Sequence, residues 1–167
     1  MMKSIFVRIV LVCLFIVLVA PSLSQADSTA KQIKRDGRFI SYDDGTVLDT
    51  KTNLMWAAKD NGSDINWQDA SRYGADYRGG GYKNWRMPTL EELTGLYDKS
   101  INSNNGCHIT KLITLTQCRV WTSKSANPTG SSESLYGEYF SFADTESYWI
   151  PQTFYYGYRV LLVRSVK

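Results

Sequence analysis

Cys107, His108 and Cys118 are the residues whose types and spacing could most directly do chemistry, as metal ligands or as a redox pair. Structural zinc needs four ligands, whereas these residues supply at most three, and His108 is the single histidine of the chain. Two cysteines in an exported protein favour a disulfide, and one that closes this short loop would contribute about 3 kcal/mol to stability. The sequence therefore predicts a Cys107–Cys118 disulfide and no metal site.

Two groups of carboxylates could act as acid–base pairs or bind calcium, but structural roles account for both. Glu91 and Glu92 follow Thr89 in a pattern that predicts a capping box, and the helix dipole favours acids in the first turn. The acidic residues between 43 and 49 lack the alternating ligands and the distal Glu of an EF-hand, and Asp44-Gly45 is typical of a tight turn. We therefore predict no catalytic residue, no cofactor and a protein that is not an enzyme.

Aromatic residues are the remaining candidates for a functional site, since they make up 13% of the chain, with 11 Tyr and 5 Trp. They crowd the stretch from 135 to 158, where Tyr148, Trp149, Tyr155 and Tyr156 flank Pro151 in a segment without clear periodicity. Exposed rings can stack on sugars or anchor a protein partner, whereas buried ones would only fill the core. These four residues are our predicted ligand-binding residues, and we expect them to be exposed near a hairpin tip.

The first 26 residues have the pattern of a signal peptide. Lys3 and Arg8 precede an apolar run over 9–20 that is shorter than the roughly 20 residues needed to span a bilayer. Pro21 ends this run, and Ser24-Gln25-Ala26 is a cleavage triplet, so we expect cleavage after Ala26 and no stable membrane anchor afterwards. The sequence thus predicts export by the Sec route to the periplasm, the cell surface or the extracellular medium. It also predicts a flexible lead-in over 27–37 and one domain over 38–167.

The charge of the mature chain argues against nucleic acid as a partner. Once Lys3 and Arg8 are removed, 17 basic residues face 16 acidic ones, a net charge of +1. Such a balance gives no electrostatic attraction to a phosphate backbone.

Periodicity predicts two helices early in the domain and mostly strands later. Asn66 and Thr89 can cap helices whose apolar residues recur every three or four positions. Short strands are predicted over 38–40, 54–57, 120–122 and 135–142, and a long loop over 101–117. The longest apolar run of the mature chain, over 158–166, is apolar on both faces in its middle, so we predict a central strand there. The fold class is α+β.

Several segments, in this order, resemble the Lcl C-terminal domain family of mostly exported bacterial domains of unknown function. The similar segments cover nearly all of 38–167; they are DGTVLDTKTNLMW from Asp44, the helix start WQDA from Trp67, NWRMPTLEEL from Asn84, VWTS from Val120 and the closing YRVLLVR from Tyr158. The resemblance implies a C-type-lectin-like fold with two helices, a small twisted antiparallel sheet and long loops. That fold group includes sugar-binding lectins, surface adhesins and formylglycine-generating oxidases.

The chain departs from the active members of that fold group. Asn127-Pro128 and Asn84-Trp85-Arg86 replace the calcium-binding motifs of lectins, and no cysteine follows Cys118, whereas the oxidases use a late reactive pair. A shared fold does not fix a shared activity. We therefore expect an exported non-catalytic binding or adhesion module for carbohydrate or a cell-envelope protein. The alternatives are an oxidase that uses Cys107 and Cys118, and a structural subunit of an envelope assembly.

Overall fold

A computed structural model describes residues 30–101, 105–127 and 135–166. The expected signal peptide and its cleavage site lie outside the described residues. Two helices and two sheets confirm the α+β class, and all strand pairs are antiparallel except β5 with β8. In spatial order the first sheet contains β1 (Gln32–Asp36), β2 (Phe39–Tyr42), β3 (Thr46–Asp49), β4 (Leu54–Ala57) and β9 (Val163–Ser165). The second contains β7 (Ser147–Pro151), β6 (Tyr136–Ser141), β5 (Arg119–Ala126) and β8 (Tyr158–Arg159).

The two helices, α1 (Trp67–Asp76) and α2 (Leu90–Leu96), begin where the capping residues predict. The Asn66 side chain accepts a hydrogen bond from the backbone N–H of Asp69, at 2.9 Å. Thr89 and Glu92 form the reciprocal capping box, and Glu92 also binds the Arg86 guanidinium through both carboxylate oxygens, at 2.7 and 2.6 Å. Local hydrogen bonding thus determines where both helices begin.

The N-terminal strand β1 differs from the flexible lead-in that the sequence predicts over 27–37. Its backbone pairs with β2, with Arg35 opposite Ile40 and Asp36 opposite Phe39, although its side chains are nearly all exposed. The hydroxyl of Thr110 donates to Asp36 at 2.8 Å and ties the strand to the long loop. An edge strand is held by backbone hydrogen bonds, so the polar composition of this segment does not prevent pairing.

The apolar run over 158–166 is not the single central strand that the sequence predicts. It forms β8 and β9, which lie at the ends of different sheets, and the residues between them cross from one sheet to the other. Val160 and Leu162 accept backbone hydrogen bonds from Asn61 and Ala57, and both side chains are buried. The middle of the run, residues 160–163, is apolar on both faces because it is buried where the chain passes between the two sheets.

Two clusters of buried residues form the core. The first contains Trp56, Cys107, Leu93 and Leu96 of α2, Phe140 of β6 and Phe142, which follows that strand. The second contains Trp85, Met87, Trp121, Tyr139 and Tyr158, and it lies under the face of the second sheet that α1 covers. Among the residues described, neither helix has the length and hydropathy to cross a bilayer.

Candidate functional site

All four predicted ligand-binding residues are exposed in the structure, while their role in binding stays a prediction. Tyr148 and Trp149 lie on β7, the edge strand of the second sheet, and are 41% and 39% exposed. Tyr155 and Tyr156 lie in the loop between β7 and β8 and are 59% and 80% exposed. The loop also carries Phe154, at 55% exposed, which the sequence analysis missed.

The structure does not gather the four residues into one patch. Tyr148 and Trp149 are consecutive in a regularly paired strand, so their side chains lie on opposite faces of the sheet. Tyr148 stacks on Tyr139, with ring centres 5.3 Å apart. The ring of Trp149 lies instead beneath the Lys124 ammonium, at 5.4 Å from the ring centre. Tyr148 therefore lies on the face of the sheet that carries Tyr139, and Trp149 lies on the opposite face.

A ladder of aromatic rings supports Tyr148 from inside the protein. Trp121 stacks on Tyr158 at 4.7 Å between ring centres, and Tyr139 meets Tyr158 edge-on at 4.9 Å. Burial raises the pKa of Tyr139 to about 12, with a further contribution from neighbouring Tyr158. Tyr139 is therefore uncharged at physiological pH. The ladder joins Tyr148 to Tyr158, the residue that directly follows the loop.

The loop between β7 and β8 projects from two closely spaced anchor points. The backbone N–H of Trp67 donates to the carbonyl of Gln152 at 3.2 Å, and that of Ile65 donates to Tyr158 at 3.3 Å. Two residues of extended chain span at most about 7 Å, so both ends of the loop are held close together. The five residues 153–157 must then bulge outward, which accounts for the exposure of the three aromatic side chains among them.

A polar network under the loop fixes its C-terminal half. Asp64 accepts hydrogen bonds from the backbone N–H of Gly157, at 3.0 Å, and from the Arg159 guanidinium, at 2.5 Å. Arg159 is 7% exposed and also donates to the hydroxyl of Thr116, which in turn is held by Asp60. Gly157 has a φ of +80°, a conformation that favours glycine. The C-terminal half of the loop is thus held by hydrogen bonds to Asp64, which is itself bound to the buried Arg159.

The ionisation of Asp64 should control this anchoring. The Arg159 hydrogen bond, followed by that from Gly157, holds the pKa of Asp64 below its ordinary value of 3.8. Because the pKa of Asp64 is lowered, the interaction stabilises the folded loop at pH values above the ordinary pKa. This stabilisation is lost as the pH falls through the pKa that Asp64 has in the folded protein. We therefore expect the Gly157 amide to be protected from hydrogen exchange near neutral pH and to lose protection in acid.

The Asp64→Asn variant is the control for this acid dependence. It keeps the shape of the side chain but has no carboxylate to titrate, so the Gly157 amide should be less protected at neutral pH and its protection should no longer depend on acid. Other carboxylates with lowered pKa values, such as Asp98 and Asp144, will affect global stability, so the amide itself must be followed. Identical protection profiles for Asp64→Asn and the unaltered protein would contradict the prediction.

The candidates for metal or redox chemistry are engaged in structural contacts. Cys107 and Cys118 form the predicted disulfide, and Cys107 is fully buried. The His108 ring contacts the carbonyl of Ile101 through Nδ1, at 2.7 Å, and packs edge-on against Tyr97. Within 30–101, 105–127 and 135–166, no group of three His, Cys, Asp or Glu residues is placed to hold a metal ion.

Several cavities lie away from the loop, and one of them, of about 400 Å³, is lined by Trp149 together with Tyr136, Ala126 and Asn127. Two others were not identified from the sequence. A cavity of about 290 Å³ is lined by Lys34, Arg35 and Lys111 together with Asp36. A groove of about 390 Å³ separates α1 from the Trp-Arg-Met-Pro-Thr segment at residues 85–89. This segment has a structural role, because the Trp85 indole donates to Gly79 and the Arg86 backbone pairs with Val163 of β9.

Phe154 was missed because phenylalanine alone gives no indication of exposure. A usable signal was nevertheless present, since the twelve residues from Ser147 to Tyr158 contain no charged side chain. Such a neutral stretch that also includes Pro151 and Gly157 cannot be one long strand, so part of it must be a loop with aromatic residues.

Comparison with known proteins finds the same family that the sequence segments resemble. The model of the Lcl C-terminal domain family matches residues 45–164, which is most of the chain and includes both helices, β3 to β8 and the first two residues of β9. The strands β1 and β2 precede the matched region. No curated protein matches the chain.

Proposed function

Since the chain belongs to the Lcl C-terminal domain family, we propose that it is an exported, non-catalytic binding and adhesion module for the bacterial cell envelope. Its contact surface is the set Tyr148, Phe154, Tyr155 and Tyr156, called here the aromatic surface. The observation that carries the proposal is the exposure of these four large rings on a loop and strand that the fold holds in place. Trp149 lies on the other face of the sheet and is not part of this surface.

Rigid support is what distinguishes the aromatic surface from incidental exposure. Tyr148 rests on the buried ladder, and the loop is anchored by residues 64, 65 and 67. Binding through a preorganised surface avoids much of the entropy cost of ordering side chains and loops. Large aromatic residues on such surfaces are the type that most often dominates binding energy.

Export and the lack of catalysis are supported by independent features. The apolar run before Ala26 and the disulfide fit an oxidising compartment. The groups that could react in an oxidase, Cys107 and Cys118, are joined to each other, and the sulfur of Cys107 is inaccessible. The cysteines therefore take no part in the proposed binding role, which depends on the aromatic surface.

The proposal predicts that envelope binding depends on the loop. The mature chain, from residue 27, should sediment with bacterial envelope preparations, and the Tyr155→Ala/Tyr156→Ala variant should bind at least about tenfold more weakly, since each lost anchor removes on the order of 1–2 kcal/mol. The matched control is Tyr73→Ala, which removes a 36% exposed ring from α1.

Two results would contradict the proposed function. One is equal envelope binding by the loop variant and the unaltered protein, with both shown to be folded. The other is turnover of a substrate that disappears when the two cysteines are replaced, which would favour the oxidase alternative.

A further inference from the structure

We propose that the aromatic surface acts by reversible insertion of Phe154, Tyr155 and Tyr156 into the interfacial region of a lipid bilayer. This inference rests on the proposed function and names the partner of the same surface. It identifies the exposed loop as a peripheral membrane contact, which requires no membrane-spanning segment.

The charge distribution around the loop is the first argument. No charged residue occurs between Glu146 and Arg159 in the sequence, and Arg159 is buried and paired with Asp64 beneath the loop. The exposed Arg119 lies at the C-terminal end of the loop, beside Gly157 and with its guanidinium 5.8 Å from the centre of the Tyr158 ring. The tip can therefore enter the boundary between headgroups and acyl chains without carrying a charge into it, which would be costly. Phenylalanine and tyrosine suit this boundary, because the tyrosine ring is apolar while its hydroxyl stays hydrated.

The arrangement of the rings is the second argument. Phe154, Tyr155 and Tyr156 are consecutive residues that span two successive turns. The backbone N–H of Phe154 donates to the carbonyl of Pro151 at 3.0 Å, and that of Tyr158 donates to the carbonyl of Tyr155 at 3.2 Å. Consecutive side chains of a turn point in different directions, so the three rings do not form one flat platform for a sugar chain. A fluid interface accepts rings in any direction and needs no complementary shape.

The polar side chains around the loop supply the third argument. The Gln152 amide donates to the carbonyl of Tyr136, and Asp64 is occupied by Arg159 and Gly157. Recognition of a sugar normally combines ring stacking with directed hydrogen bonds from such groups. Here the side chains of Gln152 and Asp64 form hydrogen bonds that hold the loop in place, and the exposed side chains of the loop are mainly its aromatic rings.

Vesicle binding tests the inference directly. We expect the mature protein to co-sediment with vesicles of phosphatidylcholine and with vesicles of phosphatidylethanolamine and phosphatidylglycerol. Binding should change little with added salt, because residues 147–158, which include the three inserted rings, carry no charged side chain. The Phe154→Ser/Tyr155→Ser/Tyr156→Ser variant should lose at least about tenfold in partition coefficient. The matched control Ile33→Ser, which replaces a 66% exposed residue of β1, should bind normally.

A labelled protein with all three rings intact gives a second readout. A polarity-sensitive fluorophore attached to Thr153→Cys should shift its emission to the blue when vesicles are added. The same fluorophore on Ile33→Cys should not shift. A shift from position 33 without one from position 153 would overturn the inference.

The remaining outcomes separate this inference from the proposed function. Binding only to vesicles with phosphatidylglycerol, abolished by salt and unaffected by the loop variant, would overturn it and assign membrane contact to the basic cavity of Lys34, Arg35 and Lys111. Failure to bind either vesicle would also overturn it. If lipid-extracted envelopes still retain the unaltered protein but not Tyr155→Ala/Tyr156→Ala, the proposed function stands and its partner is a glycan or protein.

Discussion

Replacing Trp121 by alanine is expected to lower the free energy of unfolding by about 3–5 kcal/mol, as for other fully buried large side chains. Trp121 has no exposed surface, stacks on Tyr158, meets Tyr139 edge-on and donates its indole N–H to the carbonyl of Ile65, at 2.8 Å. The substitution leaves a cavity and an unsatisfied buried carbonyl. Chemical denaturation of both proteins would measure the loss.

Trp149→Ala is the matched control, since it removes the same side chain from a 39% exposed position on β7, the edge strand of the same sheet. Its contact with Lys124 is a partly exposed cation–π pair, so we expect a loss below about 1 kcal/mol. Equal losses in the two variants would show that the ladder around Trp121 is not the core of the second sheet.

The Trp121 variant should also weaken envelope binding, because the hydrogen bond between Ile65 and Tyr158 holds the C-terminal end of the loop. Both residues contact Trp121, one through its carbonyl and the other through its ring. A folded Trp121→Ala protein in which the Gly157 amide is still fully protected would contradict this link between the core and the aromatic surface.

Features determined by neighbouring residues could be predicted from the sequence. The helix starts at Asn66 and Thr89 depend on a side chain that caps a backbone N–H three residues away, and the tight turn at Asp44-Gly45 needs the positive φ that glycine allows. The disulfide followed from the number of cysteines and the expected compartment.

Features determined by distant residues could not be predicted in this way. The run over 158–166 is apolar because it is buried, but burial does not specify which strands it pairs with, and it divides between two sheets. The strand β1 is polar, and its order comes from backbone pairing with β2 that no side-chain pattern reveals. C-type-lectin-like topology stays a prediction from the family resemblance.

The candidate site shows the same division. Exposure of Tyr155 and Tyr156 followed from their place in a segment with loop character, and the structure agrees. The separation of Tyr148 from Trp149 depends on whether 147–151 is a strand or a loop, because only a strand places consecutive side chains on opposite faces. The anchoring of the loop by Asp64 joins residues more than 90 positions apart and leaves no trace in local sequence.

Removing the disulfide is expected to have the second large effect on stability. The bond joins residues 11 positions apart, and in the chain-entropy model its loss through Cys107→Ala/Cys118→Ala costs about 3 kcal/mol. Cys107 also belongs to the first core cluster, so truncation of its side chain adds to the loss. Denaturation with and without a reducing agent would measure the effect, with Trp149→Ala as a variant that should respond to reduction like the unaltered protein.

The same variant distinguishes a structural disulfide from a reactive pair of thiols. The disulfide lies beside the first core cluster, whereas the aromatic surface rests on the second, so a folded Cys107→Ala/Cys118→Ala protein should keep its envelope binding well below its unfolding transition. Thiol titration of the native protein should detect no free thiol at either position. Reactive thiols in the folded protein, or a loss of function without unfolding, would contradict a purely structural role, because a brace can act on the loop only through the stability of the whole domain.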